Sequence, residues 1–238
     1  MDAKICINTY SFHEFFALPR KSALDAKISI VKCENSPFEK VKEWLGTSEL
    51  DRYHSFGSEK RRHQYVIGRI AAKNAIMKLI DVKDPTQIDI SNAKDGHPIT
   101  ENIEISITHS NNYAAAIAYS TESTFGIDIE RINEQRIKTL SYISLENEQI
   151  KQDSTQLTIA WCMKESLSKA LLCGFSQPFE TFRIKKLQQL ANNDATTYYA
   201  TFAHYPQYKC IAKIIDPTKN IVVAVTYMDI LCKKSIYI

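Results

Sequence analysis

The sequence predicts an α+β fold with largely antiparallel sheet, and three observations predict it. Two long stretches carry helix start and stop signals. The middle of the chain alternates apolar and polar residues with a period of two. The strand-like runs are joined by short turn segments rather than by helical crossovers. Each half of the chain also offers one long helix and several strands. Two lobes are therefore expected, residues 1–119 and 120–238, with the boundary near Ser120.

The first helix is expected after Gly57-Ser58, over EKRRHQYVIGRIAAKNAIMKLI to about Ile80, where Asp-Val-Lys-Asp-Pro stops it. Ile103, Ile105 and Ile107 then alternate with Glu104, Ser106 and Thr108, which reads as a strand. HSNNY is expected to turn, AAAIAYS to return as a strand, and TEST to turn again into FGIDIER, residues 125–131. The second helix follows Asp153-Ser154 as its N-cap and runs through TQLTIAWCMKESLSKALLC, with Gly174 as the stop. Further strands are expected near Thr196–His204, Tyr208–Ile215 and Ile221–Ile230.

Composition sets broad limits. Of 238 residues, 44% are hydrophobic and 24% charged, which favours a packed core over disorder. Thirty Lys and Arg against 27 Asp and Glu leave a net charge of +3, too mild for a nucleic-acid binder on composition alone. The six cysteines show no CxxC or Cys/His metal spacing. MDAKICINTYSFHEFF lacks the apolar core of a signal peptide, and no apolar run reaches the roughly 18 residues of a membrane span. A reduced, cytoplasmic protein with no membrane association is expected.

FGIDIER places carboxylates where a buried strand would favour leucine or valine. As a strand it points Phe125, Ile127 and Ile129 to one face and Gly126, Asp128 and Glu130 to the other. Asp128 and Glu130 would sit roughly 6.5 Å apart at the backbone, able to converge on one cation or to face water. On the second helix Trp161, Glu165 and Lys169 are spaced by four and share one line. Taken alone, that spacing fits an exposed Glu–Lys pair contributing about 0.3–0.5 kcal/mol. Beside a large apolar ring it also fits a partly buried site. Asp128, Glu130 and Glu165 together would give hard oxygen ligands for Mg²⁺, which usually serves a phosphate-bearing substrate, with Lys169 as a second cation. On the first helix Arg62, Arg69 and Lys73 fall on nearly one line, thickened by Arg61 and His63; a solvated basic face and an anion site fit it equally.

GIDIER followed some thirty residues later by WCMKESLSKA resembles the paired signature of Sfp-type 4′-phosphopantetheinyl transferases, G-[IV]-D-[IV]-E and then W-x-x-K-E-[AS]-x-x-K. DGHPITENIEISITHSNNYAAAIAY resembles the family's G-K-P…S-H-S segment, and GRIAAKNAI its early helix, so the resemblance covers roughly residues 57 to 176. It implies a pseudo-dimer of two similar α+β lobes with the active site in the cleft between them. It implies transfer of the 4′-phosphopantetheine arm of coenzyme A to a serine of an apo acyl or peptidyl carrier protein, with release of 3′,5′-ADP. Asp128, Glu130 and Glu165 would hold Mg²⁺ on the CoA diphosphate. Lys169 and His109 would contact that diphosphate, and Glu165 would serve as the base. In the N-terminal lobe Lys94, Asp95, Gly96, His97 and Pro98 would border the adenine. Arg61, Arg62 and His63 would approach the 3′-phosphate, with Thr108 beside His109.

Three departures from the family pattern stand out. His97 replaces its usual lysine, Thr108 its usual serine, and Leu172-Cys173-Gly174 its G-x-G. LSYISLENEQIKQD, residues 140–153, lies where the family places its carrier-docking helices, yet is acidic through Glu146, Glu148 and Asp153. Length favours the single-chain, monomeric type over the short trimeric one. A catalytically silent CoA or nucleotide binder of the same fold is the alternative, and a magnesium-dependent nuclease a more distant one.

Overall fold

The computed structural model describes residues 4–18, 25–35, 41–190, 196–216 and 220–228. It divides into two compact units, Met1–Ser123 and Thr124–Ile238. Each is an antiparallel sheet with one long helix packed on a face, so the fold class is α+β.

In the first unit β1 (Lys4–Ser11) leads into the short helix α1 (Phe12–Phe16), followed by β2 (Ala26–Glu34), α2 (Val41–Trp44) and α3 (Thr47–Ser55). The long helix α4 (Glu59–Ile80) begins at the Ser58 cap, whose hydroxyl accepts from the Arg61 backbone N–H, and ends at Asp81 in the left-handed region (φ 55°). The hairpin β3 (Ser91–Asn92) and β4 (Pro98–Ile99) precedes β5 (Glu104–Ser110) and β6 (Tyr113–Tyr119), and the four-stranded sheet runs β1-β2-β6-β5. Ala114, Ala116 and Ala118 of β6 join Ile67, Ile70, Ala71 and Ala75 of α4 in its core, small residues that let helix and sheet approach. His109 and Ser110, expected in a turn, extend β5 and pair with Ala114 and Tyr113. The turn is confined to Asn111 and Asn112, with Asn111 at φ 52°, a conformation asparagine tolerates.

In the second unit β7 (Phe125–Arg131) is followed by α5 (Ile137–Ile143), α6 (Ser154–Ala170), β8 (Ile184–Gln189), β9 (Thr197–Phe202), β10 (Tyr208–Asp216) and β11 (Ile221–Met228). The sheet order is β7-β11-β10-β9-β8. The Asp153 carboxylate accepts from the Gln156 N–H and starts α6. The helix ends at Ala170, not at Gly174. Leu172 turns left-handed (φ 52°) and the Cys173 N–H closes onto the Ser168 carbonyl at 3.2 Å, so the stop falls two residues early.

Both units bury one Glu–Lys arrangement at the long helix. Glu49 of α3 accepts from the Gly46 N–H and pairs with Lys73, which also donates to the Pro85 carbonyl; Arg69 Nε lies 3.3 Å from the same carboxylate. Glu148 accepts from the Leu145 and Ile184 N–H groups and pairs with Lys164 at 2.7 Å, which also donates to the Ile143 carbonyl. Burial pushes both lysines below the usual lysine range, against the opposing pull of their glutamates. Arg69, 5% exposed, and Lys73, fully buried, are therefore taken up by Glu49 and form no solvated face, while Arg62 on the same line is half-buried. Glu148 likewise contributes no acidity to the surface of 140–153, and Asp153 is occupied as a cap. Lys164→Ala should cost about 3–5 kcal/mol in urea unfolding because it strands the Glu148 charge, whereas Glu148→Leu/Lys164→Met should recover most of that loss. A neutral Lys164→Ala would refute the role given to the pair.

Candidate active site

The second unit assembles its polar cluster from two adjacent elements. β7 turns Gly126, Asp128 and Glu130 toward α6, and α6 answers with Trp161, Glu165 and Lys169 on its partly buried line. Gly126 sets the separation. A Cβ there would lie 2.1 Å from the Ser166 carbonyl oxygen and 2.5 Å from the Ala170 nitrogen, so only glycine permits this approach. The Ser166 hydroxyl meets that of Thr226 at 2.6 Å and the Cys210 sulfur at 3.4 Å, and Thr226 is the β11 register partner of Gly126. These contacts fix the rotation of the helix and aim Glu165 and Lys169 at Asp128.

Asp128, Glu130 and Glu165 each offer a carboxylate oxygen within 4.8 Å of the others. Lys169 Nζ stands 2.5 Å from Asp128 Oδ1 and 3.7 Å from Glu165 Oε2, a cation already drawn to the cluster. Both oxygens of Glu130 are engaged: the Trp161 indole N–H donates to Oε1 at 3.1 Å and Arg136 Nη1 to Oε2 at 2.9 Å. Trp161 stacks on Phe175, with ring centroids 4.9 Å apart and planes 16° from parallel, and Phe182 closes the apolar side. Burial, then the Asp128 charge, pushes the Glu165 carboxyl up to about 8, with Lys169 pulling the other way. Burial opposes the Lys169 ammonium too, but Asp128 and Glu165 hold it above the usual lysine range. Three hard oxygen donors crowded enough to raise one proton affinity fit a small divalent cation, which would replace that proton.

The residues expected at a nucleotide lie in the first unit. Arg61 is exposed, and Arg62 donates to the Phe56 carbonyl at 2.9 Å. His63 lines a cavity of about 380 Å³ with Asn35, Glu59, Lys60, Gln64, Asn111 and Asn112; burial lowers its imidazole pKa, against a backbone hydrogen bond at Asn35. Thr108 is buried and His109 exposed at the end of β5, next in sequence to the two asparagines of that cavity. Lys94–His97 lie in the turn between β3 and β4, and Pro98 opens β4. Gly96 takes φ 95°, the Asp95 carboxylate meets His97 Nδ1 at 2.5 Å, and Asn92 ties the turn to Arg69 at 2.8 Å. His97, standing for the usual lysine, is thus engaged with Asp95. Sequence reasoning missed Arg136, which has no periodic relation to either motif, and the asparagines of the cavity.

A carboxylate cluster with a neighbouring lysine, built on an antiparallel sheet and one helix, could hold a divalent cation, and such a cation commonly serves a phosphate ester. The family comparison is more specific. The model of the 4′-phosphopantetheinyl transferase superfamily matches residues 124–226, the segment that holds the cluster. Holo-[acyl-carrier-protein] synthase of Exiguobacterium sibiricum is 36% identical over 86 residues, 32% of this chain and 66% of that protein. The same-named protein of Bacillus subtilis is 36% identical over 84 residues, 30% of this chain and 69% of its own length, and that of Petrotoga mobilis 28% identical over 107 residues, 90% of its length. The chain thus aligns with about two thirds of the length of the first and second of these. The crystal structure of holo-[acyl-carrier-protein] synthase from Thermotoga maritima superposes on 47% of this chain and 71% of its own, at 19% identity and a TM-score of 0.34. The chain belongs to the 4′-phosphopantetheinyl transferase superfamily.

Proposed function

We propose that the chain transfers the 4′-phosphopantetheine arm of coenzyme A to a serine hydroxyl of an apo carrier protein, forming a phosphodiester and releasing 3′,5′-ADP. The observation that carries this reading is the convergence of Asp128, Glu130, Glu165 and Lys169 within one unit that also matches the family. A magnesium ion held by the three carboxylates supplies positive charge to the diphosphate oxygens when bound. Lys169 adds a second cation there, where charge grows as the serine oxygen bonds to the β-phosphorus and the bond to 3′,5′-ADP breaks. The serine proton passes to Glu165, directly or through a water. By the motif resemblance His63 would approach the 3′-phosphate and Lys94–Pro98 the adenine. No helix among the described residues is long and apolar enough to cross a membrane.

The deciding experiment incubates the chain with CoA, Mg²⁺ and a panel of apo carriers. A mass gain equal to one phosphopantetheine arm supports the reading. No gain on any carrier, with CoA still bound, moves it to the silent binder.

Glu165 also predicts a pH dependence. Its folded pKa of about 8 lies above the ordinary carboxyl value of 4.5, so this group's contribution to metal-free stability falls as pH rises from about 4.5 to 8. Magnesium must displace that proton, and its apparent affinity should climb through the same window and level off above it. Thermal melts should therefore show a larger Mg²⁺-induced rise in Tm at pH 8.5 than at pH 6. Equal rises at the two pH values would exclude Glu165 as a ligand.

A further inference from the structure

Arg136 has no part in the mechanism above. It ends the 3₁₀ turn Glu134–Arg136 after β7, a turn capped by the Asn133 side chain on the Gln135 N–H, and so folds back six residues to reach Glu130. We propose that Arg136 binds the anionic co-substrate: Glu130 holds its guanidinium until a divalent cation takes that carboxylate, and the released guanidinium then turns to the diphosphate. This rests on the function proposed above and extends it.

Charge and exposure support the exchange. With a divalent ion bound, Asp128, Glu130 and Glu165 carry −3 against +4 from the ion, Lys169 and Arg136, which leaves +1, a balance that an anion completes. The Arg136 side chain is 37% exposed against 15% for Glu130, so it sits at the outer edge of the cluster, where a substrate arrives. Among the described residues Glu130 is the one partner of its guanidinium, hence leaving Glu130 breaks no other contact. A guanidinium offers paired donors that match two phosphate oxygens, while a carboxylate already shared with Trp161 can spare it one oxygen. The turn fixes the backbone, so the change requires only side-chain rotation.

The test uses the full chain in a Trp44→Phe background, so that emission comes from Trp161 on the other oxygen of Glu130. Without CoA, Arg136→Ala should bind Mg²⁺ about two- to fivefold more tightly than wild type, the span of one partly exposed ion pair. In saturating Mg²⁺, the same variant should bind CoA about tenfold or more weakly by calorimetry, with Arg136→Lys recovering part of the loss. Unchanged or weaker Mg²⁺ binding by Arg136→Ala overturns the exchange, because Arg136 would then only position Glu130. Unchanged CoA affinity overturns the anion contact. If wild type bound no CoA, the functional reading would fall and inorganic diphosphate would replace CoA as probe. A loss of about tenfold in Arg136→Ala then upholds the proposal, and no loss overturns it.

Discussion

Glu165→Gln should reduce carrier modification by about 10²–10⁴, to background in most assays, while CoA continues to bind. The amide keeps the volume of the carboxyl and its place on α6, where the side chain is 23% exposed, so the fold should survive. It cannot take up the serine proton, and it offers the cation a neutral oxygen in place of a charged one. A time course of carrier mass against CoA calorimetry separates chemistry from binding. Turnover within tenfold of wild type would remove Glu165 from the chemistry.

Gly126→Ala should damage both stability and activity. The added methyl would meet backbone atoms of α6 at 2.1 and 2.5 Å, and backbone cannot rotate away as a side chain does. Overpacking costs typically about 1–3 kcal/mol and more where main chain must shift, so a fall of about 3 kcal/mol or more is expected in urea unfolding. The helix would have to retreat and carry Glu165 and Lys169 from Asp128; a displacement of about 1 Å at reacting groups costs on the order of 10²-fold in rate. Wild-type stability and turnover in Gly126→Ala would contradict the packing of α6 on β7. Glu165→Gln and Gly126→Ala thus differ: the first spares stability and the second does not.

What could be read in advance follows the range of the forces involved. The start of α4, its end at Ile80 and the strand at 125–131 are written in neighbouring residues: a serine cap, the Asp-Val-Lys-Asp-Pro stop, strict alternation. The strands β1 and β2 escaped the reading, which assigned no element before Glu59; β1 alternates exposed and half-buried residues without a strong apolar face. β8 escaped it too, since IKKLQQ at the sheet edge carries two exposed lysines.

The sequence by itself determined the α+β class and the pairing of GIDIE with WCMKESLSK, because alternation and four-residue spacing are local and name the faces on which Asp128, Glu130, Glu165 and Lys169 must lie. Only the tertiary structure decided which charges are buried. Arg69 and Lys73 share a helical line with Arg62, yet Glu49, some twenty residues earlier, draws them into the core, and Glu148 does the same to Lys164. Arg136 was beyond sequence reasoning for the same cause. A charge takes its role from the partner that meets it in space, and no periodicity records that meeting.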